Sequence, residues 1–223
     1  MEAEKFTRIT TVLLCFTAGF CDTVTFVAAG ELFSAHVTGN FIVFAYDIVK
    51  HSDTRGWQRL LSFPVFVLAV MLGGHIGKKY TNSYLLLLME GLLLVLSSVL
   101  SALLVSNGQE NGWQVRLVAM LIVAAMAFQN AFGKLNAKAT YGLTTVMTGN
   151  VTQAALDLMK VITNRPADPD TWQSFKKQCY LITGFSAGCL AGATSAMWFG
   201  ITVVMLPGAF MLLWLWRKKL LAT

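Results

Sequence analysis

The chain has 223 residues, of which 56% are hydrophobic and only 13% are charged, and its mean hydropathy is +0.61. This small share of polar side chains cannot cover the surface of a soluble globular domain. The composition therefore indicates an integral membrane protein. The net charge of +6 does not indicate a nucleic-acid partner, because the basic residues lie in short loops and tails, as the positive-inside rule predicts.

Apolar stretches recur along the chain, and most approach the roughly 20 residues that cross a bilayer as a helix. The first stretch is expected to be retained rather than cleaved as a signal peptide, since it contains Asp22 and no small-residue cleavage site follows it cleanly. The predicted spans are 10–29, 60–76, 84–105, 117–132, 179–197 and 199–216. The sequence therefore predicts an all-α, polytopic membrane protein with six spans.

A polar pattern, T-G-N-x4-A-x-D-x2-K, occurs twice with the same internal spacing. Its members are Thr38, Gly39, Asn40, Ala45, Asp47 and Lys50 in the first copy, and Thr148, Gly149, Asn150, Ala155, Asp157 and Lys160 in the second. Polar groups at matching offsets in an apolar chain indicate two matched elements around one site. We therefore divide the chain into a first repeat, 1–106, and a second repeat, 107–223, which together form one membrane domain.

The duplication extends beyond these two copies, which we call the TGN segments. Residues 20–22, with the sequence FCD, align with residues 128–130, with the sequence FQN, so the acidic Asp22 is matched by the neutral Asn130. Each repeat also has a glycine pair whose spacing is typical of closely packed membrane helices. These pairs are Gly73 with Gly77, and Gly188 with Gly192.

The same residues resemble those of a known family, the YoaK-like bacterial membrane proteins, which are labelled as a domain of unknown function. The resemblance spans nearly the whole chain. It depends on Gly19-Phe20-Cys21-Asp22 leading to His36-Val37-Thr38-Gly39-Asn40, and on Gln129-Asn130-Ala131 leading to Thr144-Thr145-Val146-Met147-Thr148-Gly149-Asn150. Val37 departs from the methionine that is often found there. The resemblance implies a bacterial membrane protein, but it supplies no substrate or reaction.

The symmetry of the repeats depends on whether the TGN segments cross the membrane. If each only dips in, the chain has six spans and inverted repeats; if each crosses, it has eight spans and parallel repeats. The basic residues left outside are Lys50, Arg55, Arg59 and Arg116 in the first case, and Lys78, Lys79, Lys134 and Lys138 in the second.

Each arrangement leaves all but four of the 17 basic residues inside, so the positive-inside rule does not choose between them. Both place the two termini in the cytoplasm, and the expected location is the inner (plasma) membrane. The helical part after each motif has about 12 to 14 residues, which suits a half-helix. We therefore favour six spans plus two TGN half-helices, with eight spans in parallel repeats as the alternative.

Each TGN motif is predicted to start its half-helix and to bind a solute there. Threonine is a good N-cap, glycine permits close approach, and the free N–H groups of a helix start attract a polar or anionic ligand. In the alternative interpretation, the threonines only cap helices and the asparagines only hold neighbouring helices together. The predicted substrate-binding residues are Thr38, Gly39, Asn40, Asn130, Thr148, Gly149 and Asn150.

Asp22 and Glu90 are predicted to lie well inside apolar spans, where an unpaired ionised carboxylate costs at least about 2.5 kcal/mol. Both are therefore candidate coupling residues for a proton or cation, and a buried hydrogen bond between helices is the alternative role. His36, just before the first motif, is a candidate partner for Asp22 or a pH sensor.

The two aspartates of the repeated pattern are expected to be structural. Asp47 and Asp157 each precede a lysine, Lys50 or Lys160, by three residues. This is the pairing distance on a helix, so an ion pair is predicted in each repeat.

No metalloprotease, nucleophile-elbow or phosphate-loop motif occurs, and no cysteine pair has metal-binding spacing. No catalytic residue, metal site or cofactor is therefore predicted, and the protein is not expected to be an enzyme.

We favour a transporter that binds a small polar solute between the TGN motifs and couples its movement to a proton or cation at Asp22. A passive channel or facilitator is one alternative, and a non-transporting membrane assembly or sensing protein is another. The expected partners are the lipid bilayer, the solute and, since six spans leave little protein around a pathway, further copies of the chain.

Overall fold

The computed structural model describes residues 2–50, 56–80, 82, 84–104, 112–164 and 168–221, with side chains from 4 to 217 within these ranges. The regular structure of this described part is entirely helical. The predicted all-α class is therefore confirmed. The predicted boundary between the repeats, at residues 106 and 107, lies outside the described residues, as does Arg55.

The described residues form α-helices of two kinds, long apolar ones and shorter ones that carry the TGN motifs. The α-helices are α1 (Glu2–Ala28), α2 (Gly39–Lys50), α3 (Ser62–Lys79), α4 (Leu85–Leu104), α5 (Trp113–Leu135), α6 (Met147–Thr163), α7 (Pro169–Phe199) and α8 (Met205–Leu221). Two short 3-10 helices lead into α3 and α8, namely η1 (Gly56–Leu61) and η2 (Gly200–Val204).

Five helical segments of the described chain are long and apolar enough to cross a membrane. They are Glu4–Ala28, Gly56–Lys79, Leu85–Leu104, Trp113–Leu135 and Pro169–Arg217. The last is 49 residues long and contains both α7 and α8, so it includes the last two predicted spans. Long apolar helices in this number make the chain a multi-pass membrane protein. The TGN helices α2 and α6, with 12 and 17 residues, are not among these segments.

The central helices α1 and α5 run in opposite directions. Gln129 of α5 donates a hydrogen bond from Nε2 to the carbonyl oxygen of Leu14 in α1, over 2.8 Å. Towards the other end, Ala29 belongs to the same apolar cluster as Val115 and Val118, near the start of α5. The end of α1 therefore lies beside the start of α5.

Helix α7 packs along α1 in the same direction, through glycines. Gly188 lies against the backbone of Phe16, and Gly192 lies against the backbone of Phe20. A Cβ atom at Gly192 would lie 2.6 Å from the carbonyl oxygen of Phe20. Only glycine permits this approach, so the predicted packing role of this pair is confirmed.

The other glycine pair plays the same role between α3 and α5, which also run in one direction. A Cβ atom at Gly73 would meet Phe128 and Ala131 at 3.1 and 3.0 Å, and one at Gly77 would meet Leu135 at 2.6 Å. The contact between α3 and α5 therefore matches the contact between α7 and α1.

Helices α4 and α8 cross each other beside this core. A Cβ atom at Gly208 of α8 would lie 2.8 Å from Leu94 of α4. The ring of Phe6, near the start of α1, lies 6.5 Å from the ring of Tyr84 and 5.1 Å from that of Trp214. Helix α4 therefore begins, and α8 ends, beside the start of α1, so α8 runs opposite to α7.

Each TGN helix follows a segment that folds back along the helix before it. We call residues 29–38 the first approach and residues 136–146 the second approach. In the first, the ring of Phe33 packs 4.9 Å from the ring of Phe26 in α1. In the second, Thr145 donates to Oδ1 of Asn130 in α5, over 2.7 Å. Each approach thus turns back into the bundle. Helix α2 then packs against η1, and helix α6 packs along α7.

Candidate functional site

Asp22, on α1, holds the first approach in place. Its Oδ1 accepts a hydrogen bond from the backbone N–H of Ala35 over 2.6 Å, and its Oδ2 accepts one from the backbone N–H of His36 over 3.1 Å. Asp22 is only 5% exposed, and within the described residues it forms no ion pair. Backbone N–H groups stabilise a carboxylate without cancelling its charge. The site therefore contains a buried carboxylate with hydrogen bonds but no cation.

The predicted pairing of Asp22 with His36 takes place through the backbone and not through the imidazole. The side chain of His36 is exposed, and its ring lies 5.9 Å from the ring of Phe33 in an edge-to-face arrangement. The imidazole is therefore available to a solute.

Asn40 joins the first approach, α2 and α3. Its Oδ1 accepts from the backbone N–H of Phe33, and its Nδ2 donates to the carbonyl oxygen of Phe33 and to Oγ of Ser62, each over 2.8 Å. The residue is 1% exposed. Because these bonds use both of its polar atoms, Asn40 positions the first approach against α2 and α3 and is turned away from any solute.

The backbone N–H groups at the start of α2 are already bonded. Those of Gly39, Asn40 and Phe41 donate to the carbonyl oxygens three residues earlier, over 2.8, 3.2 and 3.2 Å. A tight turn of the 3-10 kind therefore uses them before the helix proper begins. The prediction that this helix start offers free N–H groups is wrong. Thr38, which is exposed, directly precedes the helix.

Gly39 makes room for two aromatic rings. A Cβ atom at this position would lie 2.8 Å from the ring of His36 and 2.9 Å from the ring of Phe33. Gly149, its counterpart, has no such neighbour, because nothing lies within 4 Å of the position of a Cβ atom there. Gly39 therefore permits close packing of two rings, whereas Gly149 permits no comparable contact.

The second TGN helix starts earlier than predicted. Helix α6 begins at Met147, its N-cap residue is Val146, and no side chain caps it, so the predicted N-cap role of Thr148 is wrong. The reason lies with Asn150, whose Nδ2 donates to the carbonyl oxygens of Leu143 and Val146 over 2.9 and 3.2 Å. This amide bonds the end of the second approach to the first turn, so the helix includes the residue before the motif.

The predicted ion pairs within the repeated pattern are also wrong. Asp47 pairs with Arg59 of η1 and not with Lys50, because η1 folds back along α2. Asp47 is buried, and the side chain of Arg59 is 11% exposed. Asp157 accepts from Nε2 of Gln153 over 2.8 Å. Its Oδ2 has no hydrogen-bond partner among the described residues.

A cavity of about 340 Å³, which we call the central cavity, lies where the two approaches meet. Its wall is built by α1, both approaches, the start of α6, and α7. The lining residues are Asp22, Thr23, Phe26, Phe33, His36, Thr145, Met147, Thr148, Phe185 and Cys189. Residues from both halves of the chain therefore surround one space.

Three of the predicted site residues meet in this wall, namely Asp22, His36 and Thr148. The others are outside it: Thr38, Gly39, Asn40, Asn130, Gly149, Asn150 and Glu90. Of these, Asn130 contacts the wall indirectly, because it accepts a hydrogen bond from the lining residue Thr145. Glu90 is fully buried on α4, and neither of its carboxylate oxygens has a hydrogen-bond partner among the described residues.

Sequence reasoning missed the aromatic part of the cavity. Phe26 and Phe33 come from α1 and the first approach, while Phe185 comes from α7. A signal for Phe33 was its place seven residues before Asn40, which Leu143 shares relative to Asn150. No local pattern pointed to Phe185, since it enters the site only because glycines draw α7 against α1.

The wall of the central cavity combines a carboxylate, hydroxyl groups and aromatic rings. Carboxylates and the faces of aromatic rings both attract cationic groups. The hydroxyls of Thr23 and Thr145 already donate to Gly19 and Asn130, so they can accept a hydrogen bond from a solute, whereas that of Thr148 can donate or accept one. This combination suits a small solute that has a cationic or hydrogen-bond-donating group on a partly apolar body.

Comparison with known proteins gives one family. The model of a family described as "Protein of unknown function (DUF1275)" matches residues 10–216. This match confirms the family resemblance drawn from the sequence, with which the YoaK-like name is consistent. No curated protein and no solved structure matches the chain.

Proposed function

The chain belongs to the DUF1275 family of proteins of unknown function, and from its geometry we propose that it is a small membrane transporter of a polar solute. The solute site is the central cavity. The observation that carries this proposal is that both approaches line one cavity, together with the buried carboxylate of Asp22. Binding sites at the meeting point of two repeats, beside interrupted helices, are the arrangement that transporters use.

The proposed topology is six spans with two half-helices, in inverted repeats. It is supported by the opposite directions of α1 and α5, which hold matching places in the two repeats. An eight-span arrangement with parallel repeats would require these helices to run the same way. The length of α2, about 18 Å at 1.5 Å per residue, also falls short of the roughly 30 Å of hydrocarbon.

The proposed orientation places both termini in the cytoplasm of a bacterial cell, and the chain in its inner membrane. The starts of α1 and α7 and the ends of α3 and α5 lie at one end of the bundle and carry most of the described basic residues. Lys50, Arg59 and Arg116 lie towards the other end. The positive-inside rule assigns the more basic end to the cytoplasm.

In this proposal Asp22 couples solute movement to a proton or cation. Hydrogen bonds to an ionised carboxylate are roughly twice as strong as neutral ones. Protonation of Asp22, or a cation bound to it, therefore weakens its hold on Ala35 and His36 and loosens one wall of the cavity. Asn130, the counterpart of Asp22, holds Thr145 with a neutral amide, so the second approach lacks this response.

A solute can be found through Cys189, which lines the central cavity. In a variant that keeps only this cysteine, a bound solute should slow the reaction of Cys189 with a maleimide. Solutes that protect Cys189 are then tested for uptake into proteoliposomes, with and without a gradient of protons or of sodium ions.

We expect gradient-driven accumulation by the wild type, and only passive equilibration by Asp22→Asn, which imitates Asn130. Asp157→Asn, which removes a carboxylate outside the cavity, is the matched control and should accumulate solute normally. Accumulation by Asp22→Asn would overturn the coupling role, and purely passive flux in the wild type would indicate a facilitator. If no solute protects Cys189 or crosses the membrane, the transport proposal fails in favour of an assembly or sensing role.

A further inference from the structure

A second, strongly basic cavity lies at the end of the bundle where α1 and α7 begin. This basic cavity has a volume of about 660 Å³. Four cationic residues line it, against the single carboxylate of Glu4: they are Lys5, Arg8, Lys176 and Lys177. Within the described chain none of the four forms an ion pair. The cavity therefore attracts an anion.

Aromatic rings hold three of these cations in place. The distances from the cationic group to the ring centroid are 5.6 Å for Arg8 over Tyr180, 5.7 Å for Lys176 over Trp172 and 5.5 Å for Lys177 over Tyr141. A flexible side chain that is already positioned loses less conformational entropy when it binds. The cations are thus prepared for a ligand and are not spread evenly over the membrane surface.

An apolar groove continues from the basic cavity along the side of the bundle. It has a volume of about 740 Å³, it lies between α1, α7 and α8, and it shares Arg8 and Tyr180 with the basic cavity. Its lining follows α1 from Arg8 to Phe20, which is about 18 Å along the helix axis. One leaflet of the hydrocarbon core is about 15 Å deep, so the groove has the length of a membrane-embedded acyl chain.

We infer that the basic cavity and the apolar groove together bind an anionic phospholipid. The phosphate of the headgroup lies among the basic side chains, and one acyl chain lies in the groove. A soluble phosphate ester would satisfy the cations but would leave the adjoining groove unused. The charge also suits the cytoplasmic leaflet, where anionic lipids attract basic segments next to membrane helices.

The test is a lipid titration of the purified full-length chain in detergent, followed by native mass spectrometry. The two lipids are phosphatidylglycerol and phosphatidylcholine with identical acyl chains. We expect phosphatidylglycerol to bind more tightly, and the double substitution Lys176→Gln with Lys177→Gln to weaken it about 25-fold, as two roughly fivefold losses. The matched control, Lys134→Gln with Lys138→Gln, removes the same charge from the same end of the bundle but outside the cavity. It should leave the affinity almost unchanged.

A second arm separates a lipid from a soluble phosphate ester. Ser195→Phe, which narrows the groove, should weaken phosphatidylglycerol binding, whereas Ser195→Ala should not. Glycerol 3-phosphate at the same concentration should not displace the lipid. Equal affinity for the two lipids, or an equal loss in both lysine double variants, would overturn the inference. Displacement by glycerol 3-phosphate together with normal lipid binding by Ser195→Phe would also overturn it, in favour of a soluble ligand.

Discussion

The asparagine of the first TGN segment bonds to a distant helix, whereas that of the second bonds to the approach that directly precedes it. Asn40 reaches α3 through its hydrogen bond to Ser62. Asn150 instead donates to Leu143 and Val146, both in the second approach. The two motifs are alike in sequence, but their asparagines bond to different parts of the protein.

The aspartates of the two segments repeat this difference. Asp47 pairs with Arg59 of η1, while Asp157 bonds to Gln153 one turn earlier on the same helix. The packing of the two helices differs in the opposite sense, because α6 packs along the long helix α7, whereas α2 packs mainly against the short η1. The comparison teaches that polar side-chain bonds attach the first TGN segment to η1 and α3, whereas helix packing along α7 holds the second.

The largest difference between the segments is expected at the aspartates. Asp47→Asn removes the carboxylate that pairs with the largely buried Arg59, which should cost about 3–5 kcal/mol of unfolding free energy. Asp157→Asn keeps the acceptor for Gln153 and removes a charge whose Oδ2 has no hydrogen-bond partner among the described residues, so it should be neutral or stabilising. Unfolding in mixed micelles at increasing SDS measures both. Equal losses would mean that the two segments are held alike.

A smaller effect is expected at the asparagines. Asn40→Ala strands the backbone N–H and carbonyl of Phe33 in a buried position and should cost about 3 kcal/mol. Asn150→Ala removes bonds in a more exposed segment and should cost about 1 kcal/mol. The same SDS unfolding series compares them, and a larger loss for Asn150→Ala would contradict the conclusion that polar side-chain bonds contribute more to the first segment.

The glycines provide a third comparison, which bears on function more than on stability. Gly39→Ala forces the rings of His36 and Phe33, which line the central cavity, to shift at a cost of about 1–2 kcal/mol, and should change the rate at which Cys189 reacts with a maleimide. Gly149→Ala meets no atom and should leave this rate unchanged. Unchanged labelling in Gly39→Ala would mean that the rings do not shape the cavity.

The smallest effect is expected at the start of α7. This helix supports the second TGN helix, which packs along it. Asp168 caps this helix, and the hydrogen bond from the backbone N–H of Thr171 lowers the pKa of its carboxyl group. A carboxyl whose pKa is lowered on folding stabilises the fold at neutral pH, and this stabilisation is lost as the pH falls through the lowered pKa. Asp168→Ala should therefore speed hydrogen exchange at Thr171 at pH 7, with the difference from wild type fading in acid. A difference that persists in acid would contradict a capping role for the ionised carboxylate.

The long helices were predictable from the sequence because an apolar run of about 20 residues has few other stable states in a bilayer. The shortness of α2 was also predictable, because polar residues follow soon after Lys50 in the sequence and end the apolar stretch. The start of α6 was not predictable, because valine is a poor N-cap and Val146 takes that place only through its bond to Asn150.

The candidate site was predictable only in part. Asp22 and His36 could be singled out because a polar residue in an apolar stretch needs a reason. The partner of Asp47 could not, because helical spacing favours Lys50 and only the folding back of η1 brings Arg59 to it. Phe185 and Cys189 were missed for a similar reason, since their place depends on the contact between α7 and α1.

The central claim is that the two TGN segments enter the membrane from opposite sides and meet at one cavity. It is tested most directly by Lys50→Cys and Lys160→Cys, placed singly at the exposed ends of α2 and α6 in a background without the four native cysteines. A membrane-impermeant maleimide added to intact cells should label Lys50→Cys, and it should label Lys160→Cys only after the cells are lysed. If both are labelled from the same side, the repeats are parallel, and the two segments cannot face each other across the central cavity.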